Sequence, residues 1–201
     1  DGSGDGSNPA VDSIINPPVG TRGFDLQAGG SSASSRLEIR DLRGNVGTRL
    51  GKLDSGDYDA IVLACAGLER LGLSRYITDV LAPPRWLPAS TQGTIGIQSR
   101  EGDDSIRALL EPLNHAETAL RTRAERAVAT ALEGSCQVPL AVFAELESGQ
   151  VRVTGMVGTP DGARVLRAQR AGPVADPEGL ASRVAEELLA QGAGEIIAAL
   201  R

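Results

Sequence analysis

Aromatic side chains are scarce in this chain: its 201 residues include two Phe, two Tyr and one Trp. A hydrophobic core must therefore be built from Leu, Val, Ile and Ala, and a binder of single-stranded nucleic acid would lack stacking platforms. Basic residues do not predominate either, because 20 Lys and Arg are outnumbered by 26 Asp and Glu, which gives a net charge of −6. That charge provides no overall attraction to a phosphate backbone. We therefore expect no nucleic-acid partner.

Long apolar runs, cysteine frameworks and histidine clusters are also missing. No stretch approaches the roughly 20 apolar residues of a membrane span, and the N-terminus lacks the basic and apolar segments of a secretory signal. Two cysteines, Cys65 and Cys136, cannot form a disulfide framework, which favours a reducing compartment. One histidine, His115, argues against a His-rich metal site. We expect a soluble cytoplasmic protein, with a plastid as the alternative, and no membrane partner or metal.

Residues 1–35 differ in composition from the rest of the chain. They are rich in Gly and Ser and contain Pro17 and Pro18, a composition that cannot bury enough surface to offset chain entropy. We expect a disordered or unrelated segment here. The chain does not begin with Met, which fits a processed or truncated sequence.

Residues 36–110 alternate between patterns typical of strands and helices. We predict a strand at 37–42, a turn and short helix from 44 to 53, and a buried parallel strand at 60–66, which is a continuous apolar run. Strand, helix and strand over this length form a βαβ unit. Residues 68–81 are expected to be helical in two short pieces.

Residues 111–201 predict a small α+β domain. Asn114 with Glu117 resembles a capping box, and helical spacing of apolar residues continues to Gly134. Ser148-Gly149 is typical of a hairpin turn between strands at 138–147 and 150–157. A third strand at 164–170 and helices at 180–189 and 193–200 complete a three-stranded antiparallel sheet with helices.

Two arginines, Arg43 and Arg49, flank a glycine turn where a strand is expected to become a helix. The main-chain N–H groups at such a helix start, together with the guanidinium groups, would form an anion site. The alternative is a tight turn with two solvated arginines.

Cys136 is expected on a loop between the long helix and the first strand of the small domain. A loop thiol is accessible to reaction in a way that a thiol within a strand, as expected for Cys65, is not. The alternative is an incidental loop cysteine.

Several motifs, in one order, closely resemble the porphobilinogen deaminase family, also called hydroxymethylbilane synthases. The resemblance covers about residues 36–201. The motifs are Arg-Gly-Asn-Val-Gly-Thr-Arg at 43–49, Asp-Tyr-Asp-Ala-Ile-Val-Leu-Ala at 57–64, Ala-Gly-Leu-Glu-Arg-Leu-Gly-Leu at 66–73, Leu-Pro-Ala with Gln-Gly at 87–93, Asn-His with Glu-Thr at 114–118, Ala-Glu-Arg at 124–126, and Leu-Glu-Gly-Ser-Cys-Gln-Val-Pro at 132–139.

The resemblance implies a transferase of porphyrin, haem and tetrapyrrole biosynthesis that condenses four porphobilinogen molecules into a linear tetrapyrrole with release of ammonia. It implies a dipyrromethane cofactor bound by a thioether to Cys136. It assigns Arg43, Arg49 and Arg70 to the carboxylates of the cofactor and growing pyrrole chain. The implied architecture is a periplasmic-binding-protein-like parallel-sheet domain, here partial at 36–110, followed by the C-terminal α+β domain at 111–201 in a monomer.

The sequence also departs from the family pattern. It contains no His-Ser-Met-Lys-Asp-type segment, whose aspartate handles protons in the family, so the catalytic residue is unknown and the N-terminal catalytic domain is expected to be absent. Thr91 and Ser135 stand where the family has glycines. Ile95 and Ile97, on a strand expected to join that domain, would be left unpaired and favour association.

The sequence is therefore compatible with three functions. The first is hydroxymethylbilane synthase, with little turnover expected from this chain alone. The second is an inactive fragment that binds an anionic pyrrole-type ligand, and the third is a structural relic in which Cys136 is an ordinary thiol. His115 is interpreted as a structural residue at a helix start, and Glu125 and Arg126 as residues making surface or domain contacts.

Overall fold

The computed structural model describes residues 40–132 and 138–200, together with the backbone of Asp12–Ile15. The chain divides into two compact units between Ala82 and Pro83. Residues 83–110, which the sequence analysis grouped with the preceding segment, thus cluster with the C-terminal unit. The backbone of Asp12–Ile15 forms a strand within the segment 1–35, and the other residues of that segment lie outside the described part.

The N-terminal unit is a three-stranded sheet with short helices. Its strand order is β2-β1-β3, and the central strand is antiparallel to both neighbours. Its core contains Leu50, Leu53 and Leu68 from the helices with Ile61 and Leu63 from a strand. The elements are β1 (Asp12–Ile15), α1 (Val46–Asp54), β2 (Ile61–Ala64), α2 (Cys65–Arg70), a 3-10 turn (Ser74–Tyr76) and β3 (Ile77–Leu81).

The short helix predicted before residue 54 is confirmed as α1, but the prediction of a parallel strand at 60–66, covered on both faces, is wrong. Residues 40–42 form no strand, and 37–39 lie outside the described residues. The strand β2 ends at Ala64, pairs antiparallel with β1, and alternates between buried Ile61 and Leu63 and the exposed Val62. Such alternation is typical of a sheet with one covered face, not of a parallel strand covered on both.

The prediction of two helical pieces at 68–81 is wrong for its second half. The helix α2 ends at Arg70, and residues 77–81 form the strand β3. Ile77, Thr78 and Val80 are β-branched residues, which favour strands, and β1 supplies the neighbouring backbone. A pairing partner more than sixty positions earlier in the chain leaves no local signal.

The C-terminal unit is the α+β fold that the sequence predicted. An antiparallel sheet of order β4-β5-β6 carries helices on one face. Ser148 and Gly149 both have positive φ, 50° and 76°, as a two-residue hairpin turn requires. The elements are α3 (Asp104–Leu110), a 3-10 turn (Glu111–Leu113), α4 (Ala116–Ala131), β4 (Leu140–Glu147), β5 (Gln150–Gly158), β6 (Val165–Pro173), α5 (Pro177–Ala190) and α6 (Ala193–Ala198).

Helices α4 and α5 pack closely on the central strand β5. Val128 of α4 with Val184 and Leu188 of α5 are fully buried against Val153. A Cβ added at Gly155 would lie 2.9 Å from Leu188 Cδ1 and 3.1 Å from Val184 Cγ1. The absence of a side chain at this position therefore sets how closely α5 approaches the sheet.

The N-cap of α4 is His115 and not Asn114, which corrects the expected capping box. The Nδ1 atom of His115 accepts a hydrogen bond from the Thr118 main-chain N–H at 3.3 Å, and its contact with Thr118 Oγ1 measures 2.9 Å. The structural interpretation of His115 as a residue at a helix start agrees with this position.

Residues 84 and 89 contact the C-terminal sheet. The Nη2 atom of Arg167, on β6, donates a hydrogen bond to the Pro84 carbonyl at 2.6 Å, and Ala89 forms an isolated backbone bridge with Ala141 on β4. Residues 94–100 then form neither helix nor strand, so the expected strand through Ile95 and Ile97 is not found, and both side chains are exposed. Within the described ranges, no helix combines the length and apolar character that crossing a membrane demands.

Candidate anion-binding site

The turn before α1 is shaped by Gly44. Its φ is +124°, a conformation that L side chains rarely adopt, and an added Cβ would lie 2.9 Å from Thr48 Cγ2. Both observations require glycine at this position. The turn therefore brings the main chain of residue 44 directly against the first turn of the helix.

Asn45 caps the helix that follows this turn. Its Oδ1 accepts hydrogen bonds from the Thr48 main-chain N–H at 2.9 Å and from Thr48 Oγ1 at 3.0 Å. The N–H groups of Val46 and Gly47, the first two of α1, have no acceptor among residues 40–132 and 138–200. Such open N–H groups carry the positive end of the helix dipole and favour a nearby anion.

Arg49 is fixed against the same turn. Its Nε donates to the Gly44 carbonyl at 2.8 Å, and the side chain is half-buried. Because this bond uses only Nε, the two terminal nitrogens remain able to bind a carboxylate through two parallel hydrogen bonds. No carboxylate in the described part of the chain forms an ion pair with Arg49.

Arg43 precedes the turn and is open to solvent. Its nearest acidic group is Asp41 at 3.8 Å, and the two side chains are 91% and 92% exposed. A pair this exposed contributes little and does not hold Arg43 in place. The structure thus brings Arg43 and Arg49 to one turn, with both guanidinium groups accessible.

Arg70 is the last residue of α2 and is exposed. The helix α2 shares a core with α1, because Leu68 packs with Leu50 and Leu53. No hydrogen bond or ion pair in the described regions connects Arg70 with an acidic group or with the turn that carries Arg43. Its common role with Arg43 and Arg49 stays a prediction.

The structure describes one of the two cysteines, Cys65. Cys136 belongs to residues 133–137, which lie outside the described part. Cys65 is the first residue of α2 and is half-buried, so its predicted shielding within a parallel strand is wrong. The apolar run at 60–66 spans the end of a strand and the start of a helix, which hydrophobicity alone does not distinguish.

Glu125 of α4 is buried, and it does not form the surface contact considered in the sequence analysis. Its Oε2 accepts from the Thr91 N–H at 2.6 Å and its Oε1 from the Ala144 N–H at 2.9 Å. Burial raises the pKa of Glu125, and these two bonds and the charge of Arg121 oppose that rise. The carboxylate thus connects α4 to the edge of β4 and to the turn at residue 91.

Sequence reasoning identified the arginines of the turn but missed the helix cap beside them and the partners of Glu125. Asn45 and Thr48 have the spacing of a helix cap, which is a usable local signal. The partners of Glu125 are 34 and 19 positions away, so no local pattern indicates them. In the described ranges, no three His, Cys, Asp or Glu side chains are grouped so as to hold a metal ion.

Two family models match this chain, in consecutive regions. Residues 15–108 match the model described as "Porphobilinogen deaminase, dipyromethane cofactor binding domain". Residues 119–190 match the model described as "Porphobilinogen deaminase, C-terminal domain". The first match contains the turn with Arg43 and Arg49, and the second contains the hairpin and most of the helices that pack on it. On these two matches, the chain belongs to the porphobilinogen deaminase family.

Proposed function

We propose that the chain serves the hydroxymethylbilane synthase reaction, in which a transferase joins four porphobilinogen molecules into a linear chain, and that these 201 residues alone turn over slowly. In each addition the C–N bond of the aminomethyl group breaks and ammonia leaves. A C–C bond forms between that methylene carbon and the free α-carbon of the terminal pyrrole, which loses a proton. The growing product accumulates carboxylates, and the turn that carries Arg43 and Arg49 is the observation that supports this proposal most directly.

The donor set at this turn suits the dipyrromethane cofactor of the family. Acetate and propionate groups need paired N–H donors, and the terminal nitrogens of Arg49, the exposed guanidinium of Arg43 and the open N–H groups of α1 supply them. When bound, the cofactor would supply the free pyrrole α-position for the first addition. Cys136 is proposed to carry it through a thioether, by the resemblance of its motif to the family.

Arg43, Arg49 and Arg70 bind and orient carboxylates in this proposal and transfer no proton. Arginine stays protonated at all relevant pH values, so it cannot serve as a general acid or base at the reacting atoms. The proton-transferring residue of the reaction is not among the residues assigned here.

Binding of a dipyrromethane that bears acetate and propionate groups tests the arginine assignments. Replacing Arg43 or Arg49 with Leu should weaken binding by about 1.5–3 kcal/mol, the range for hydrogen bonds to charged groups. Arg49→Lys should restore only part of the affinity, because an ammonium group lacks the planar fork. Calorimetric titration gives the affinities, and thermal unfolding of each variant checks the fold.

Arg183→Leu is the matched control. Arg183 is exposed on α5 in the C-terminal unit and has no ion pair with a described residue, and its replacement changes the net charge by the same amount. We expect wild-type affinity from this variant. Unchanged affinity in both Leu variants of the turn would instead favour two solvated arginines, and binding without turnover would favour the inactive anion-binding fragment.

A further inference from the structure

The cap of α1 is uncharged, whereas the caps of two other helices are acidic. Asp103 caps α3 and Asp176 caps α5, each by accepting a main-chain N–H, as Asn45 does for α1. Asn and Asp are about equally good N-caps, and an acidic side chain gains further from the helix dipole. Helix stability alone therefore gives no reason to prefer Asn at position 45.

The surroundings of Asn45 supply such a reason. Its Oδ1 lies within hydrogen-bonding distance of two Thr48 atoms, and the adjacent residue, Gly44, holds Nε of Arg49 through its carbonyl. A carboxylate at position 45 would stand in the same turn as the guanidinium groups of Arg43 and Arg49. It would attract those guanidinium groups and repel a carboxylate ligand.

We propose that Asn45 is a positioning residue whose neutral side chain caps α1 while leaving the positive charge of Arg43 and Arg49 available to the ligand. This inference rests on the proposed function, in which the turn binds pyrrole carboxylates. It assigns two properties to one side chain: the acceptor atom is required for the helix cap, and the absence of charge is required for anion binding.

Three variants of the full chain separate these properties. Asn45→Asp keeps the acceptor and adds a charge, Asn45→Ser keeps the acceptor without a charge, and Asn45→Ala removes the acceptor. Asn114→Asp makes the same chemical change at an exposed position in the C-terminal unit. The probe is the dipyrromethane bearing acetate and propionate groups, followed by calorimetric titration, with thermal unfolding as the measure of the cap.

Asn45→Asp should unfold at or above the wild-type temperature and bind the probe roughly tenfold more weakly, with the loss shrinking as salt screens the added charge. Asn45→Ser and Asn114→Asp should bind as the wild type does. Asn45→Ala should lower the unfolding temperature.

The outcomes distinguish this inference from the function on which it depends. No binding by the wild-type chain, or full affinity in both Arg43→Leu and Arg49→Leu, overturns the carboxylate site and the role of Asn45 with it. Weakened binding in the arginine variants with full affinity in Asn45→Asp overturns the role of Asn45 alone. Equal losses in Asn45→Asp and Asn45→Ser, with lowered stability in both, would also overturn it, because Asn45 would then act only as a helix cap.

Discussion

The buried carboxylate of Glu125 accepts a hydrogen bond of 2.6 Å from the main-chain N–H of Thr91, a residue held at a φ of 58°. The other carboxylate oxygen accepts from Ala144 on β4. One side chain of α4 thus satisfies a main-chain donor on a strand and another on a turn. Because Thr91 is β-branched, its left-handed conformation is strained, and the bond to Glu125 helps to maintain it.

Thr91→Gly should stabilise the protein. Glycine adopts a positive φ without steric cost, whereas a non-glycine residue in a sparsely populated region costs about 1–3 kcal/mol. The greater entropy of glycine in the unfolded chain offsets part of this gain, so we expect a net increase of about 1 kcal/mol. Denaturant unfolding measures it. Thr91→Ala, which removes the branch but keeps a Cβ, should gain less, and a destabilised Thr91→Gly would contradict the strain argument.

Glu125→Gln should destabilise the C-terminal unit. The amide nitrogen of Gln cannot accept a hydrogen bond, so either Thr91 or Ala144 would be left with an unsatisfied buried N–H, at a cost of about 1–3 kcal/mol. Glu117→Gln, an exposed change on the same helix that removes an ion pair with Arg121, is the matched control and should cost only about 0.5 kcal/mol. Equal unfolding free energies for Glu125→Gln and the wild type at every pH would argue against both bonds.

The unfolding free energies of the wild type and of Glu125→Gln should depend differently on pH. Burial raises the pKa of Glu125 above its ordinary value of 4.5, so its contribution to stability is full below that value and is lost as the pH rises through the raised pKa. The gap in unfolding free energy between the wild type and Glu125→Gln should therefore narrow as the pH rises.

Asp103 and Asp161 have lowered pKa values, through hydrogen bonds led by those from Ser105 and Thr159. The stability that these two carboxylates contribute is present above 3.8, the ordinary pKa of Asp, and is lost as the pH falls below that value.

Gly155→Ala should destabilise the C-terminal unit by about 1–3 kcal/mol, the usual cost of overpacking a core. The new Cβ would lie 2.9 Å from Leu188 Cδ1 and 3.1 Å from Val184 Cγ1, so these side chains, or α5 with them, would have to shift. Gly158→Ala on the same strand is the control, because its nearest contact would be 3.5 Å, an ordinary separation. Chemical denaturation gives the unfolding free energies of both variants. Equal values would show that the core accommodates the added Cβ without cost.

The sequence predicted elements best where the determining interactions are local. The helix α4 and the hairpin of β4 and β5 follow from apolar periodicity and from the Ser148-Gly149 turn, and both are found. The strand β3 was missed because its identity depends on pairing with β1, far away in the chain. The start of α2 at Cys65 was missed because an apolar run has the same composition in a strand and in a helix.

The candidate site could be predicted to the same extent and for the same reason. Arg43 and Arg49 were identified because they flank a glycine turn, and the cap by Asn45 has a recognisable spacing. The bond from Arg49 Nε to the Gly44 carbonyl depends on a side-chain conformation that residue spacing does not determine. The contacts of Glu125 depend on packing between α4, β4 and the turn at residue 91, which only the folded structure provides.

Cys136, and not Cys65, is expected to carry any covalent pyrrole. Burial does not make this distinction, because Cys65 is half-buried and heads α2; the resemblance of residues 132–139 to the family motif does. Peptide mapping of the purified chain should locate a pyrrole adduct on Cys136. Cys65→Ser should retain the adduct and Cys136→Ser should lose it, and an adduct that survives Cys136→Ser would refute the assignment.

The 201-residue chain by itself should convert porphobilinogen only slowly. A positioned acid or base typically contributes about 10²–10⁴-fold to such proton transfers, and the sequence contains no segment of the type that supplies the family's aspartate. Asp41, Asp54, Asp57 and Asp59 are exposed on the N-terminal unit, and Glu125 holds two main-chain N–H groups with its two oxygens. None of these five carboxylates is therefore both free and held in a sheltered site. Loss of porphobilinogen and formation of uroporphyrin after acid treatment measure turnover, and Arg49→Leu is the control for a reaction at the turn. Rapid turnover that Arg49→Leu abolishes would show that a carboxylate regarded here as a surface residue performs the proton transfer.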